Sequence, residues 1–230
     1  YDSRLGPIGR SVAAYLRGMF LEKQSSILLR VDELLSSKGF RFTGILRNPN
    51  GQTGESLAEI LMRNHDSNKI IVLTPTLINP QDTALLMPAS VTRLLGKVAF
   101  KGLDIEATPE GYITHVSSQV NDRYFDSKNG TLVIGVLNTA KQDVIDAIEL
   151  GGNNTVLVLL GHGDPDQYYA SDEPITFSSV STPKELLRAI IKHACYGISA
   201  GNRGRIATNL HYWDRSTGPL DFILDTFAEG

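Results

Sequence analysis

Among the residue types able to do chemistry, His162 stands in the most telling surroundings. It is bracketed by Gly161 and Gly163 and follows the apolar run Thr155-Val156-Leu157-Val158-Leu159-Leu160. Apolar or β-branched residues followed by a Gly-rich polar segment predict a strand buried on both faces that runs out into a loop. In open α/β sheets, loops at the carboxyl ends of strands are where ligands sit. A histidine at such a turn either carries protons or hydrogen-bonds the local backbone. Asp164 and Asp166 follow at alternate positions, so the segment offers an imidazole and two carboxylates, donors that zinc or manganese accepts. Alternate residues converge only in an extended chain, and Pro165 separates the acids. Solvated loop carboxylates are therefore the expectation, with no metal and no cofactor.

Other candidates have simpler readings. Cys195 is the one cysteine, which excludes an internal disulfide, and free cysteine ordinarily packs in the core. The loop-like Asn48-Pro49-Asn50-Gly51-Gln52-Thr53-Gly54 leads into a helix whose N-terminus suits an anion. It lacks the Gly-Lys-Ser/Thr ending of a phosphate-binding loop and reads as a turn before a capped helix. Arg203, Arg205 and Arg215 read as a solvated face near the last strand. His193 and His65 read as cations near helix C-termini, and His115 as a sheet residue. Tyr168, Tyr169, Tyr212 and Trp213 either line a shallow surface or pack.

The bulk numbers narrow the classes. A chain of 230 residues can bury a proper core without disulfide or metal staples. With 41% hydrophobic and 20% charged residues, the composition is that of an ordinary soluble globular protein. A net charge of -3 gives no broad cationic face for nucleic acid, which is not expected as a partner. The apolar runs fall far short of the roughly 20 residues of a membrane span. No charged-then-apolar targeting segment opens the chain, and its start at Tyr1 rather than Met suggests a piece of a longer protein. Compartment and oligomeric state are not legible.

The elements that must position these residues follow from periodicity. Two helices, or one broken near Gln24 to Ser26, are predicted before Gly39, then a strand over Phe42 to Leu46. A helix opens at Ser56, with Glu59 completing a capping box, and Lys69 to Leu73 is a buried strand. Pro75, Pro80 and Pro88 make Thr74 to Ser90 an extended excursion. Val98 to Ile105 and Tyr112 to Val120 are expected as strands, joined into a hairpin by the turn at Thr108-Pro109-Glu110-Gly111. Strand Thr131 to Leu137, helix Thr139 to Leu150 and strand Thr155 to Leu160 form a parallel βαβ unit. A short edge segment is expected at Ile175 to Phe177. Thr182-Pro183-Lys184-Glu185 has the form of a helix start, with Leu186, Leu187, Ile190, Ile191 and Ala194 on its buried face. Ile206 to Trp213 is the last strand, and Asp221 to Phe227 a terminal helical turn. The expected fold is α/β, a mainly parallel central sheet flanked by helices with an inserted β-hairpin. It is one domain over 1–230, with possible halves 1–97 and 128–230 joined through 98–127.

Two blocks resemble a known superfamily. Val156-Leu157-Val158-Leu159-Leu160-Gly161-His162-Gly163 and Ile190-Ile191-Lys192-His193-Ala194-Cys195-Tyr196-Gly197 are similar to the paired signatures of the caspase-like cysteine peptidases, which include legumain, clostripain and the self-processing domains of large bacterial toxins. The resemblance implies a peptidase acting on protein or peptide, with His162 as the imidazole and Cys195 as the nucleophile. It makes the amides of Gly163 and Cys195 oxyanion donors, and places Gly161, Gly163, Asp164, Arg203 and Arg205 around the substrate, an arginine there serving to bind an acidic side chain. A thiolate formed near an imidazole attacks a carbonyl, and a glycine neighbour lets substrate backbone approach. In that superfamily the nucleophile terminates a strand. Here the spacing of Leu187, Ile191 and Cys195 predicts a helix instead, and the following strand carries His211 where a cysteine is expected. The competing expectation is a non-catalytic α/β module, Rossmann- or flavodoxin-like, that binds a protein partner or a small ligand such as carbohydrate at the strand ends.

Overall fold

The computed structural model describes residues 22, 24–47, 54–75, 109–126, 129–194 and 196–212. In chain order these form a helix over 24–36 (α1), β1 (Arg41–Leu46), α2 (Leu57–Arg63), β2 (Lys69–Thr74), α3 (Pro109–Tyr124), β3 (Leu132–Leu137) and α4 (Lys141–Leu150). There follow β4 (Thr155–Leu160), a short antiparallel pair β5 (Gln167–Tyr169) and β6 (Pro174–Thr176), then β7 (Leu187–His193) and β8 (Ala207–Tyr212). Six strands make one sheet in the order β1-β3-β2-β4-β7-β8, and every neighbouring pair is parallel. The expected α/β class, a parallel sheet flanked by helices, is the observed one.

Of the four inner strands, β2, β3 and β4 are buried along their whole length, which is why each reads as an apolar run. One sheet face, with Ile71, Leu73, Ile134, Val136, Leu157 and Leu159, packs under Leu57, Ile60 and Leu61 of α2 and Val144, Ala147 and Ile148 of α4. The other, with Ile70, Val72, Val133, Val156 and Val158, packs under Ile27, Val31 and Leu35 of α1 and Ile113, Val116 and Val120 of α3. Moving along the strand order from β1 toward β8, the connections β1 to β2 and β3 to β4 carry α2 and α4 over the first face. The backward step from β2 to β3 carries α3 over the second. The steps β4 to β7 and β7 to β8 again go forward, and their apolar residues Tyr168, Ile175, Phe177, Val180, Ile198 and Ile206 lie in the first core. All five connections thus obey one crossover hand, as parallel sheets require.

Two local expectations are overturned. Residues 112–120 are not a strand of a hairpin but the middle of α3, with Pro109 and Glu110 in its first turn. Ile113, Val116 and Val120 meet the sheet at helical spacing, and packing overrides the β-branched content that suggested a strand. His115 is accordingly a helix residue, its imidazole held below the ordinary value by burial and then by Lys38. The antiparallel hairpin the structure does contain is β5 with β6, on the connection leaving β4, and it includes Ile175 from the expected edge segment.

The helix expected from Thr182 is strand β7. Its seven residues lie between β4 and β8 in register Val156↔Ala189 and Ile191↔His211. A strand covered on both faces and a buried helix segment share the same apolar density, and only the neighbouring strands decide between them. His193 is therefore the buried last residue of a strand rather than a cation at a helix end. The capping box at Ser56 and Glu59 is present as expected. The expected elements within 1–21, 48–53, 76–108 and 213–230, Arg215 and Trp213 among them, lie outside the described residues, as does Cys195.

Candidate functional site

The site grows from the carboxyl ends of β4 and β7. These neighbours are parallel with Leu160 opposite His193, and the Gly161 amide continues the ladder by donating to the His193 carbonyl at 3.2 Å. Gly161 adopts φ 133°, and a Cβ there would lie 2.7 Å from the Pro75 ring at the end of β2. The chain turns here because no side chain stands in the way. His162 follows, exposed on the rim. Gly163 is buried, and a Cβ on it would lie 2.4 Å from the Gln167 carbonyl and 3.0 Å from Lys192 Cε.

Beneath this turn sits Tyr168, whose phenol donates to the carbonyls of Leu160 at 2.8 Å and Leu73 at 3.3 Å and so spans the tips of β4 and β2. The neighbouring Tyr169 amide donates to the His162 carbonyl at 3.0 Å. The exposed Tyr169 phenol donates to the Asp164 carboxylate, and that bond raises the phenol above its ordinary value.

Two charged side chains join the loop after β4 to the loop after β7. Lys192 is fully buried, and its ammonium donates to the Asp164 carbonyl at 2.9 Å, the Tyr196 carbonyl at 2.9 Å and the Gly197 carbonyl at 3.3 Å, with the Phe177 ring 6.0 Å away. Asp166 has φ 59°, a conformation Asp tolerates better than most residues. Its amide donates to the Gly197 carbonyl at 2.9 Å. Its carboxylate accepts from the amides of Ser199 at 3.0 Å and Ser178 at 3.2 Å and from the Asn202 side chain at 2.8 Å. Partial burial pulls that carboxyl upward, but the bonds from Ser178 and Ser199 outweigh it and hold the group below the usual carboxylate range.

The structure therefore brings Gly161, His162, Gly163 and Asp164 onto one loop, beside the segment that contains Cys195 in sequence. Arg203 and Arg205 lie on the return toward the start of β8. Arg203 is exposed. Arg205 is engaged with the Asn202 side chain at 3.0 Å, the Val180 carbonyl at 2.5 Å and the Phe177 carbonyl. His211 lies on β8 against α3, where the Tyr124 phenol meets its Nε2; burial, then Arg123 and Arg203, hold it below the ordinary imidazole value. Among the described residues no group of three or more His, Cys, Asp or Glu side chains is placed to hold a metal ion. None of the helices among them is long and apolar enough to cross a membrane.

Lys192 is the residue that motif reading passes over. Its signal is visible in retrospect: a lysine inside the run Leu187-Arg188-Ala189-Ile190-Ile191-Lys192-His193 needs a specific partner wherever that run is buried. A three-layer α/β protein with a rim of polar loops at the carboxyl ends of β4 and β7 is what fold and site together define. No protein-family model, no curated protein and no solved structure matches the chain.

Proposed function

We propose that this chain is a caspase-like cysteine hydrolase acting on protein or peptide substrates, with Cys195 as nucleophile and His162 as general base. The observation that carries the reading is the β4/β7 register. His162 is two residues beyond Leu160, Cys195 is two residues beyond His193, and Leu160 and His193 are opposite each other on adjacent parallel strands. Both signature blocks thus belong to strands that end side by side, which supports a reading in which each reacting residue follows a hydrophobic strand. The helix that seemed to set Cys195 apart is strand β7.

In this reading the His162 imidazole takes the thiol proton and the thiolate adds to the scissile carbonyl carbon. The tetrahedral oxyanion is met by backbone amides, for which Gly163 and Cys195 are the candidates. The imidazolium then protonates the departing amine, leaving a thioester. A water molecule, deprotonated by His162, adds to that thioester, and its collapse releases the acid and returns the proton to sulfur.

The test begins with native protein and iodoacetamide. Cys195 is expected to alkylate faster than a free thiol at neutral pH, and His162→Ala to return it to the free-thiol rate. Hydrolysis of denatured casein, followed by peptide release, is expected to fall by about 10³-fold in Cys195→Ala and in His162→Ala. A thiol that reacts only on unfolding, or a Cys195→Ala protein with full activity, would sink the reading and leave the non-catalytic binding module in its place.

A further inference from the structure

We propose that Lys192 and Asp166 are positioning residues: a buried ammonium and an amide-caged carboxylate that clamp the loop bearing His162 to the loop bearing Cys195 and thereby set the geometry of the reacting pair. The inference rests on the hydrolase reading above and adds to it the part that holds the two halves of the site in place.

The geometry is unusually specific for a lysine in a parallel strand. A fully buried ammonium must be met by several acceptors, and Lys192 meets carbonyls from both loops, Asp164 on one side and Tyr196 and Gly197 on the other. Asp166 repeats the bridge from the opposite polarity, giving its amide proton to Gly197 and taking those of Ser199 and Asn202. The joined positions begin two residues after His162 and one residue after Cys195. Gly163 completes the device, because a side chain there would meet both Lys192 and the Gln167 carbonyl. Neither residue needs to touch substrate. Preorganising two loops to within a fraction of an ångström is how such residues contribute to rate.

The discriminating readout is the pH dependence of Cys195 alkylation by iodoacetamide, measured on folded protein well below its melting temperature. In the wild type the inflection is expected below that of a free thiol, and His162→Ala is expected to raise it. Lys192→Met is expected to raise it by about one pH unit, which is up to about a tenfold loss of rate at pH values below both inflections. Removing a nearby cation could do the same by charge alone, so Asp166→Gly supplies the opposite sign. Glycine accepts the left-handed backbone, and deleting a carboxylate lowers a neighbouring thiol if only charge matters but raises it if the clamp is what matters. An upward shift in both variants supports the clamp. A wild-type profile in both, or a downward shift in Asp166→Gly, overturns it while the Cys–His pair stands. If the wild-type thiol is silent until unfolding, or His162→Ala leaves the profile unmoved, the hydrolase reading falls and the clamp with it. Should Lys192→Met fail to fold, Lys192→Gln and Asp166→Gly carry the same comparison.

Discussion

Two lysines, at opposite edges of the same sheet, solve the same problem in different ways. Lys69 opens β2 at the amino edge and Lys192 stands near the end of β7 at the carboxyl edge; both are fully buried, and each donates to backbone carbonyls, three of them among the described residues. The acceptors of Lys69 are Asn64, His65 and Ser67, all within five residues of it. That cage closes only the turn from α2 into β2. For Lys192 one acceptor, Asp164, lies 28 residues away, on a different strand's loop. The same chemistry thus makes a local plug at one edge and a long-range tie at the other. Burial of a charge does not by itself mark a functional residue; the sequence distance between its partners is the better guide.

That contrast can be broken by deletion. Lys192→Met is expected to cost about 3 kcal/mol in urea unfolding, because it leaves buried carbonyls of two loops without their donor. Lys69→Met is expected to cost about 1 kcal/mol or less and to leave Cys195 alkylation unchanged. Its turn is still closed by the amide bonds from Asn64 to Ile60, Ser67 to Asn64 and Lys69 to Asn154. Equal losses in the two variants would erase the distinction.

A pH series sharpens it. Burial pushes Lys69 down to about 8, against the smaller upward pull of Asp66 and Glu185. The unfolded chain keeps its lysine proton to near pH 10.4. Between those values the unfolded state binds more protons, so stability rises with pH through the window and the burial penalty is fully present below it. The difference in unfolding free energy between wild type and Lys69→Met is expected to shift in favour of the wild type by up to about 3 kcal/mol from pH 7 to pH 10.5. A flat difference would mean the ammonium is as comfortable in its cage as in water.

Asp166 titrates in the other direction. Its folded value lies below the ordinary carboxylate value, so the stability it contributes is present above about pH 4 and disappears as the pH falls through the folded value. The wild type is expected to be more stable than Asp166→Asn at pH 6 and to lose that advantage in acid, as read from thermal melts. A comparably small effect belongs to a residue remote from the rim: Ser56→Ala removes the capping-box hydroxyl of α2, costs about 1 kcal/mol and leaves the alkylation profile of Cys195 unmoved.

Much of this fold was legible because its inner strands announce themselves. Residues 132–137 and 155–160 are continuous apolar runs, and the helix between them keeps Val144, Ala147 and Ile148 on one face, so the βαβ unit is found from local pattern alone. The Ser56/Glu59 box is equally local. The misread segments, 112–120 and 187–193, are those whose state is decided by distant partners: α3 by the sheet face it covers, β7 by a strand 33 residues before it and another 20 residues after it. For the same reason His162 stands out as a candidate from its glycines and preceding strand alone, whereas the contacts of Lys192 and Asp166 do not. A lysine's three carbonyls and an aspartate's amide donors become neighbours only once β4 and β7 lie side by side.

The strand order carries a consequence for synthesis. β1 and β2 are the first two strands made, yet they never pair; β3, some sixty residues later, slots between them and supplies the ladder to both. A nascent chain that has emerged only as far as α3 therefore holds two apolar ribbons without the rung that joins them, and the sheet's backbone groups must wait in water or on a chaperone until residue 137 has left the ribosome. Assembly from the β1 side toward β8, with the rim that carries the candidate site completed last, is built into the order of the strands.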